Sequence, residues 1–260
     1  MLQLRQQKIL ESLAGKESVS VIELSKMLDV TEVTIRSDLT SLAEKGKITR
    51  THGGARLLEE RVRQEYTFQT RKSLNSSVKQ KIGEAAASLV NSSDSILLDS
   101  STTVLALAQS LRNKNEVNEV KDVTVIPTGI WTALELMGCL NINVLMPCGY
   151  LRHTTGSITG LPTQDFFNGL IIQKAFLGAW GISFENGLTD NHLLEIDLKK
   201  KVIEKVKEII VLADGSKFYQ SGLASYASMT RVSKIITDES APISELKKIE
   251  NLGIEVVIAK

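Results

Sequence analysis

The sequence predicts an α/β protein in two parts: a small helical head closed by a hairpin, and a larger body around a mainly parallel sheet. Three observations lead there. Residues 2–58 carry apolar positions at helical spacing, punctuated by a capping box and a Gly-Gly pair. From Ser77 onward, short Val/Ile/Leu runs alternate with helical stretches, the pattern of parallel strands buried on both faces. The chain has 260 residues, too long for one small module and comfortable for two domains.

Composition narrows the class. Hydrophobic residues make up 42% and charged residues 23%, which excludes a disordered or collagen-like chain. Apolar runs such as Ile209-Ile210-Val211-Leu212-Ala213 are far short of the roughly 20 residues a membrane span needs. The N-terminus, Met1-Leu2-Gln3-Leu4-Arg5, has no apolar core and no small-residue cleavage site. Cys139 and Cys148 offer neither a disulfide framework nor a metal set. A cytoplasmic protein with free thiols, no membrane segment, no metal site and no cofactor is expected. Residues 1–72 carry 13 Lys/Arg against 10 Asp/Glu, and residues 73–260 carry 18 against 20. A mildly basic head on a mildly acidic body points to a polyanion partner for the head.

The elements follow in order. Ile9, Leu10 and Leu13 give a first helix, broken at Gly15. Ser20-Val21-Ile22-Glu23 is a capping box that starts a second helix. That helix places Val21, Leu24, Met27 and Leu28 on one face and stops near Asp29-Val30. Thr31 caps a third helix with Ile35, Leu39 and Leu42 inward, ending at Gly46. Lys47–Thr51 and Ala55–Leu58 flank His52-Gly53-Gly54 and read as a hairpin. The head is thus residues 1–58. Residues 59–76 are polar, without a clean period, and read as a linker; a helix near Val78 opens the body, 77–260. Its strand candidates are Ile96–Leu98, Val123–Ile126, Ile142–Met146, Lys174–Leu177, Glu208–Leu212, Lys234–Thr237 and Glu255–Ile258. No internal repeat is present.

Two helices across a tight turn make a helix-turn-helix unit, and the hairpin is its wing. Burying Ile35, Leu39 and Leu42 turns Val33, Ser37, Thr40, Ser41 and Glu44 outward, with Thr34 and Arg36 on the flanks. The expected contacts with double-stranded DNA are therefore Thr31, Val33, Thr34, Arg36, Ser37 and Thr40 on the helix, with Arg50, His52 and Arg56 on the wing. A solvated arginine is the plain alternative for Arg36, and the company of partner helix, turn and hairpin favours DNA contact over it. His52 stays open between wing contact and ordinary turn residue. One small head buries little groove surface, so two heads on a two-fold axis, in a homodimer or homotetramer, are expected.

In the body, Ile96–Leu98 runs into Asp99-Ser100-Ser101-Thr102-Thr103 before the helix Val104–Leu111. Hydroxyl residues at a strand-to-helix turn form an anion site, because backbone N–H groups and the helix dipole point at it. Pro127-Thr128-Gly129, Cys148-Gly149-Tyr150 and Asp214-Gly215-Ser216-Lys217 follow other strands and converge there, at the carboxyl ends of the sheet. Lys217 is the natural cation for a phosphate, and Asp99 and Asp214 are natural acceptors for sugar hydroxyls. An ordinary Ser/Thr cap and a surface lysine are the plain alternatives. Lys199, Lys200, Lys201, Lys205 and Lys207 fall on a long helix, with Glu195 and Asp197 four residues before Lys199 and Lys201. They are expected on a solvated, salt-bridged face.

Thr31-Glu32-Val33-Thr34-Ile35-Arg36-Ser37-Asp38-Leu39, then Leu42, Glu44, Gly46 and Arg50-Thr51-His52-Gly53-Gly54-Ala55, resemble the winged helix-turn-helix signature of the DeoR family of bacterial transcriptional regulators. The likeness extends through Lys79-Gln80-Lys81-Ile82, the Asp99 turn, Gly178 to Gly181, Gly187-Leu188-Thr189, Glu195 and Leu212-Ala213-Asp214-Gly215-Ser216-Lys217-Phe218. It implies a body resembling ribose-5-phosphate isomerase and a phosphorylated sugar as effector, held by Asp99, Ser100, Ser101, Thr102, Thr103, Gly149, Asp214 and Lys217. It also implies a repressor of carbohydrate metabolism genes whose operator affinity changes with the effector, and not an enzyme.

The chain departs from the family pattern in several places. Ser37 replaces a frequent second arginine, and Ser101 and Cys148 stand where glycines are common. Pro127-Thr128-Gly129 replaces a Thr-Asn pair, and Trp180 replaces an aspartate. Trp180 either stacks on a sugar face or belongs to the core, with core preferred. Two rival functions remain. One is an aldose–ketose phosphate isomerase with an appended head, casting Asp214, Glu195 and Lys217 in the chemistry. The other is a regulator whose pocket no longer functions. His153 and His192 lie just beyond the proposed loops and are expected to be structural or exposed.

Overall fold

The computed structural model describes residues 2–13, 18–44, 48–51, 53–57, 66–116 and 119–260, and falls into two compact units, Met1–Gln64 and Glu65–Lys260.

In the first unit, α1 (Leu2–Leu13) precedes the two-residue strand β1 (Val19–Ser20), and α2 (Val21–Leu28) follows at once. The capping box forms: Ser20 Oγ accepts from Glu23 N at 3.2 Å, and Ser20 N donates to Glu23 Oε2 at 2.8 Å. Two otherwise orphaned donors are satisfied, an arrangement worth about 1 kcal/mol. Asp29, left-handed at φ 51°, ends α2. Next come α3 (Glu32–Glu44) and the strands β2 (Ile48–Thr51) and β3 (Gly54–Leu57). The sheet order is β1-β3-β2, all antiparallel, so β1 adds a strand that the period did not announce. Gly54 makes that possible, since a Cβ there would sit 2.2 Å from Val19 O. Ile9, Leu13, Val21, Leu24, Ile35, Leu39, Leu42, Ile48 and Ala55 form this unit's own core. Met27, expected on the buried face of α2, is instead 55% exposed. Gly15, Gly46, His52 and Leu58 lie outside the described residues.

The second unit begins earlier than expected. Residues 66–76, read as linker, include α4 (Phe68–Ser73) and the start of α5 (Ser76–Ala87). Thr67 Oγ1 caps α4 by accepting from Thr70 N, and Phe68 is buried with its ring stacked on Trp131 at 5.5 Å. Burying one phenyl ring contributes about 1.5–3 kcal/mol, enough to fold a polar segment onto a core.

After β4 (Ser95–Leu98) come α6 (Thr102–Glu116), β5 (Val123–Pro127), α7 (Ile130–Leu136), β6 (Ile142–Val144), the short pair β7 (Tyr150–Leu151) and β8 (Ile158–Thr159), and α8 (Leu161–Phe166). The chain continues through β9 (Ile172–Leu177), β10 (Gly181–Ser183), β11 (Gly187–Asp190), α9 (Leu193–Ile203), β12 (Val206–Leu212), β13 (Ala224–Ala227), β14 (Lys234–Thr237), α10 (Ile243–Glu250) and β15 (Glu255–Ile258). The seven expected strands make one parallel sheet in the order β15-β14-β12-β9-β4-β5-β6. Apolar cores cover both of its faces, as continuous Val/Ile/Leu strands require. β10, β11 and β13 form a separate antiparallel sheet, and β7 pairs with β8; neither was expected.

The order of strands sets the site. β4 is the first strand of the sheet; β5 and β6 extend it one way, while β9 and β12 extend it the other. The carboxyl ends of β4 and β9 flank the switch point, where open α/β sheets bind ligands. Leu98 pairs in register with Phe176, and β12 pairs with β9 through Val211 and Leu177. Asp99, Gly178 and Asp214 therefore leave the sheet along one edge.

Candidate functional site

On the head, Ile35 and Leu39 are fully buried and Leu42 nearly so, which turns the opposite face of α3 outward as the wheel required. Val33 is 77% exposed. Thr31, Arg36, Ser37 and Thr40 are exposed and Thr34 half-buried. Thr31 Oγ1 accepts from Thr34 N at 3.3 Å, closing the helix start. The Arg36 guanidinium lies 3.4 Å from Glu32 across one exposed turn. Such a pair is worth at most about 1 kcal/mol, so the side chain is free to turn to another anion. Arg50 reaches back from β2, donating to Thr40 Oγ1 at 3.0 Å and to Arg36 O at 3.3 Å. It braces wing against helix. Arg56, opposite Thr49 in the hairpin, is exposed. His52 lies outside the described residues. Behind α3, Arg5 is ion-paired with the buried Asp38, which fixes α1 against α3.

In the body, the Asp99 turn is tightly organised. The buried Asp99 carboxylate accepts from Ser101 N at 2.8 Å and from Gly178 N at 2.7 Å. Ser101 Oγ accepts from Val104 N at 3.1 Å and so caps α6. Ser101 N, expected to meet an anion, is thus taken by Asp99. Thr102 and Thr103 supply the remaining first-turn N–H groups, which have no acceptor within their own helix. Ser100, Thr102 and Thr103 are all buried. Thr128 N donates to Leu98 O at 2.9 Å, and a Cβ on Gly129 would sit 3.0 Å from Ser100 Cα, so the end of β5 closes on the turn. Gly149, at φ 154°, packs closely on Thr163 and Thr159, where a Cβ would meet Thr163 Oγ1 and Thr159 O.

Asp214 caps the turn that carries Lys217. Its carboxylate accepts from Ser216 N at 3.2 Å and from Asn75 Nδ2 at 3.2 Å. Lys217 faces the ring of Trp180 at 5.8 Å, and among the described residues no hydrogen bond or ion pair holds its ammonium. Burial lowers its pKa and nearby Arg71 lowers it further, against Asp214 and Asp190, which raise it. Trp180, preferred as core, is half-buried and turned toward this lysine.

The expectation of a solvated, salt-bridged α9 is wrong at its centre. Lys199 is 8% exposed and bridges Asp190 at 2.8 Å and Asp99 at 3.5 Å, not Glu195. It also donates to Gly178 O at 3.1 Å and lies over the Tyr226 ring at 4.8 Å. Burial opposes its charge, but Asp190, Tyr226, Asp99 and Glu195 outweigh burial and hold its pKa well above the usual value. Glu195 is buried with Arg152 at 2.8 Å and Ser157 on the same oxygen. The helix is also shorter than expected: Lys205 lies beyond it, and Lys207 belongs to β12. Helical periodicity assigned these lysines a common face; the acidic partners that bury Lys199 come from the turn after β4 and from β11. His153 is exposed and His192 half-buried, at the start of α9.

Sequence reasoning missed Arg71, Asn75 and Lys79 as parts of this cleft. Lys79 is buried and donates to Arg71 O at 2.6 Å and to Leu74 O. Burial pushes its pKa down to about 8, with Lys217 and Arg71 pushing the same way and Asp214 opposing them. Thr67 as an N-cap followed by Phe68 was the available signal, and the polar surroundings masked it.

The family model described as the DeoR-like helix-turn-helix domain matches residues 5–61, and the DeoR C terminal sensor domain matches residues 74–239. The chain is 33% identical over 257 residues to the HTH-type transcriptional regulator GolR of Listeria innocua, covering 98% of each chain. It is 31% identical to the HTH-type transcriptional repressor GlcR of Bacillus subtilis, covering 97% of this chain and 94% of that one. It is 27% identical to the glycerol-3-phosphate regulon repressor of Escherichia coli, covering 97% of each. Among solved structures, ribose 5-phosphate isomerase A of Methanocaldococcus jannaschii aligns at a TM-score of 0.42 and 21% identity, over 55% of each chain.

Proposed function

The chain belongs to the DeoR family of DNA-binding transcriptional regulators, and on that premise we propose that its body senses a phosphorylated sugar and thereby changes the affinity of the head for its operator. The observation that carries this reading is the group of cations at the sheet edge. Lys217 faces the Trp180 ring with no hydrogen bond or ion pair on its ammonium among the described residues, and its turn follows β12 as the start of α6 follows β4, in one parallel sheet with β9 between them. A dianionic phosphate supplies the charge this arrangement lacks. Carbohydrate genes as targets and repression as the mode belong to the same proposal.

We read the body as a sensor rather than an isomerase, because the carboxylates that could act as bases already carry donors. Asp214 holds Asn75 and Ser216, and Glu195 holds Arg152 and Ser157. A general base must instead be positioned to take a substrate proton.

Calorimetry of the wild type and Lys217→Ala against phosphorylated sugars and their parent sugars tests the reading. Removing one charge-assisted contact should weaken the phosphorylated form by about 1.5–3 kcal/mol, roughly ten- to a hundred-fold. Operator binding without effector should be unchanged, because Lys217 belongs to the second unit. Equal affinity of the wild type for phosphorylated and parent sugars contradicts the anion site. Isomerase turnover on pentose or hexose phosphates contradicts the sensor reading.

A further inference from the structure

Trp180 stands between the two turns that make the anion site, and a glycine on either side sets it there. A Cβ on Gly178 would come 2.5 Å from Ser101 Cβ, so the chain before Trp180 lies directly on the Asp99 turn. A Cβ on Gly181 would come 2.1 Å from Gln220 O, so the chain after Trp180 lies on the end of the Lys217 turn. The backbone between them is pinned. Gly178 N donates to Asp99, and Gly178 O accepts from Tyr226 Oη at 2.8 Å and from Lys199 Nζ at 3.1 Å. Trp180 N donates to Thr189 O at 3.0 Å, and Thr189 Oγ1 donates to Gly181 O at 3.0 Å.

The indole on this fixed backbone is not spent on packing. Ala179 packs against the apolar core on one face of the sheet, whereas Trp180 joins none of the cores formed by the described residues. It is half-buried, and the Lys217 ammonium stands 5.8 Å from its ring centroid. Ring and ammonium therefore address the same space. An anion that pairs with Lys217 brings the carbon skeleton attached to it against the indole. An indole offers an apolar face and one N–H donor, with no acceptor for hydroxyls. That surface matches the flat C–H face of a sugar ring. An open chain presents no such face, and it loses more rotational freedom in lying against a wall.

We propose that Trp180 selects the form of the effector: a phosphorylated sugar closed as a pyranose or furanose ring, its C–H face on the indole and its phosphate at Lys217. This rests on the anion-site reading above and concerns the part of the ligand that is not phosphate.

The test uses the full chain with Trp180→Ala, Trp180→Phe and Lys217→Ala, and thermal melting reports folding. The probes are glucose 6-phosphate, fructose 6-phosphate and ribose 5-phosphate. Each is measured by calorimetry beside the open-chain alditol phosphate of the same skeleton and beside its unphosphorylated parent sugar. Indole emission is followed in a Trp131→Phe background, where Trp180 is the one tryptophan left. The preferred ring phosphate should bind about three- to ten-fold more tightly than its alditol phosphate. Trp180→Ala should erase that difference and leave the alditol phosphate unchanged, and Trp180→Phe should keep most of it. Lys217→Ala should weaken ring and open-chain phosphates alike. Emission should change with the ring form.

If ring and open-chain phosphates bind the wild type equally, or if Trp180→Ala weakens both by one factor, the selection of a ring is wrong and the anion site stands. A ring preference that survives in Trp180→Ala places the selection on another residue and is equally fatal to it. If the wild type binds no phosphate of the panel, or binds parent sugar and phosphate equally, the anion site and the ring selection fall together.

Discussion

Single residues in the cleft are governed by burial and by the sign of their neighbours. Lys79 illustrates the consequence. Desolvation brings its pKa to about 8, with Lys217 and Arg71 adding to the fall and Asp214 resisting it. A bound phosphate would raise that pKa again. The sign follows. Well below pH 8 the ligand-free lysine is already charged and binding takes up little proton there. As pH rises through about 8 the free lysine loses its charge and binding recharges it. Phosphorylated-sugar binding should therefore take up protons in that window and weaken as pH rises through it. The phosphate itself titrates near pH 6 and does not interfere. Calorimetry at pH 9 in two buffers of different ionisation enthalpy measures the uptake, and Lys79→Gln should reduce it, with Lys217, whose pKa burial also lowers, supplying the remainder. Undiminished uptake in Lys79→Gln would assign the proton to another group.

At the scale of elements, the head depends on a two-residue strand. β1 reaches the hairpin only because Gly54 has no side chain; a Cβ would stand 2.2 Å from Val19 O and 2.9 Å from Ser20 Cα. Both contacts are backbone, which cannot step aside as a flexible side chain does. Ser20 is also the N-cap of α2, so displacing β1 disturbs the start of the first helix of the DNA-binding pair. Gly54→Ala should destabilise the head by about 1–3 kcal/mol, the usual range for forcing extra volume into a packed site. Denaturant unfolding followed by a probe in the head checks this, and sugar-phosphate affinity should be unchanged. Unaltered head stability would mean that β1 does not pair with β3 as described. The body shows the converse case. α4 is short and polar, yet Phe68 fixes it, because packing supplies what helix propensity does not.

Among the described residues the two units have separate cores, a small one in the head and two larger ones on either face of the body sheet. A head with so small a core presents one exposed helix face, and one such face covers too little groove for tight binding. We expect the chain to act as a homodimer or homotetramer on a repeated or palindromic operator. A site with one half deleted should then bind far more weakly than the full site, and sedimentation should show more than one chain per particle. Arg36→Ala should weaken full-site binding by roughly 1–3 kcal/mol if the side chain reads a base. Wild-type operator affinity in that folded variant would remove Arg36 from the recognition face. No described helix is long and apolar enough to cross a membrane.

The sequence by itself determined what repeats over short distances. Alternating Val/Ile/Leu runs marked all seven strands of the parallel sheet, because strands buried on both faces must be apolar throughout. Ser20 and Glu23, three apart, marked the start of α2, and Ile35, Leu39 and Leu42 marked the inner face of α3. The Asp99 turn was legible as a strand end followed by a helix cap. Tertiary structure decided which polar groups face one another. Asp99 meets Gly178 across 79 residues, and Asn75 meets Asp214 across 139. Lys199 looked like part of a solvated face because Glu195 stands four residues before it. It is buried because Asp99 and Asp190 arrive from other strands to balance its charge. A local pattern records the side-chain period of one element. The free energy of a buried charge depends on partners that only the folded chain brings within reach.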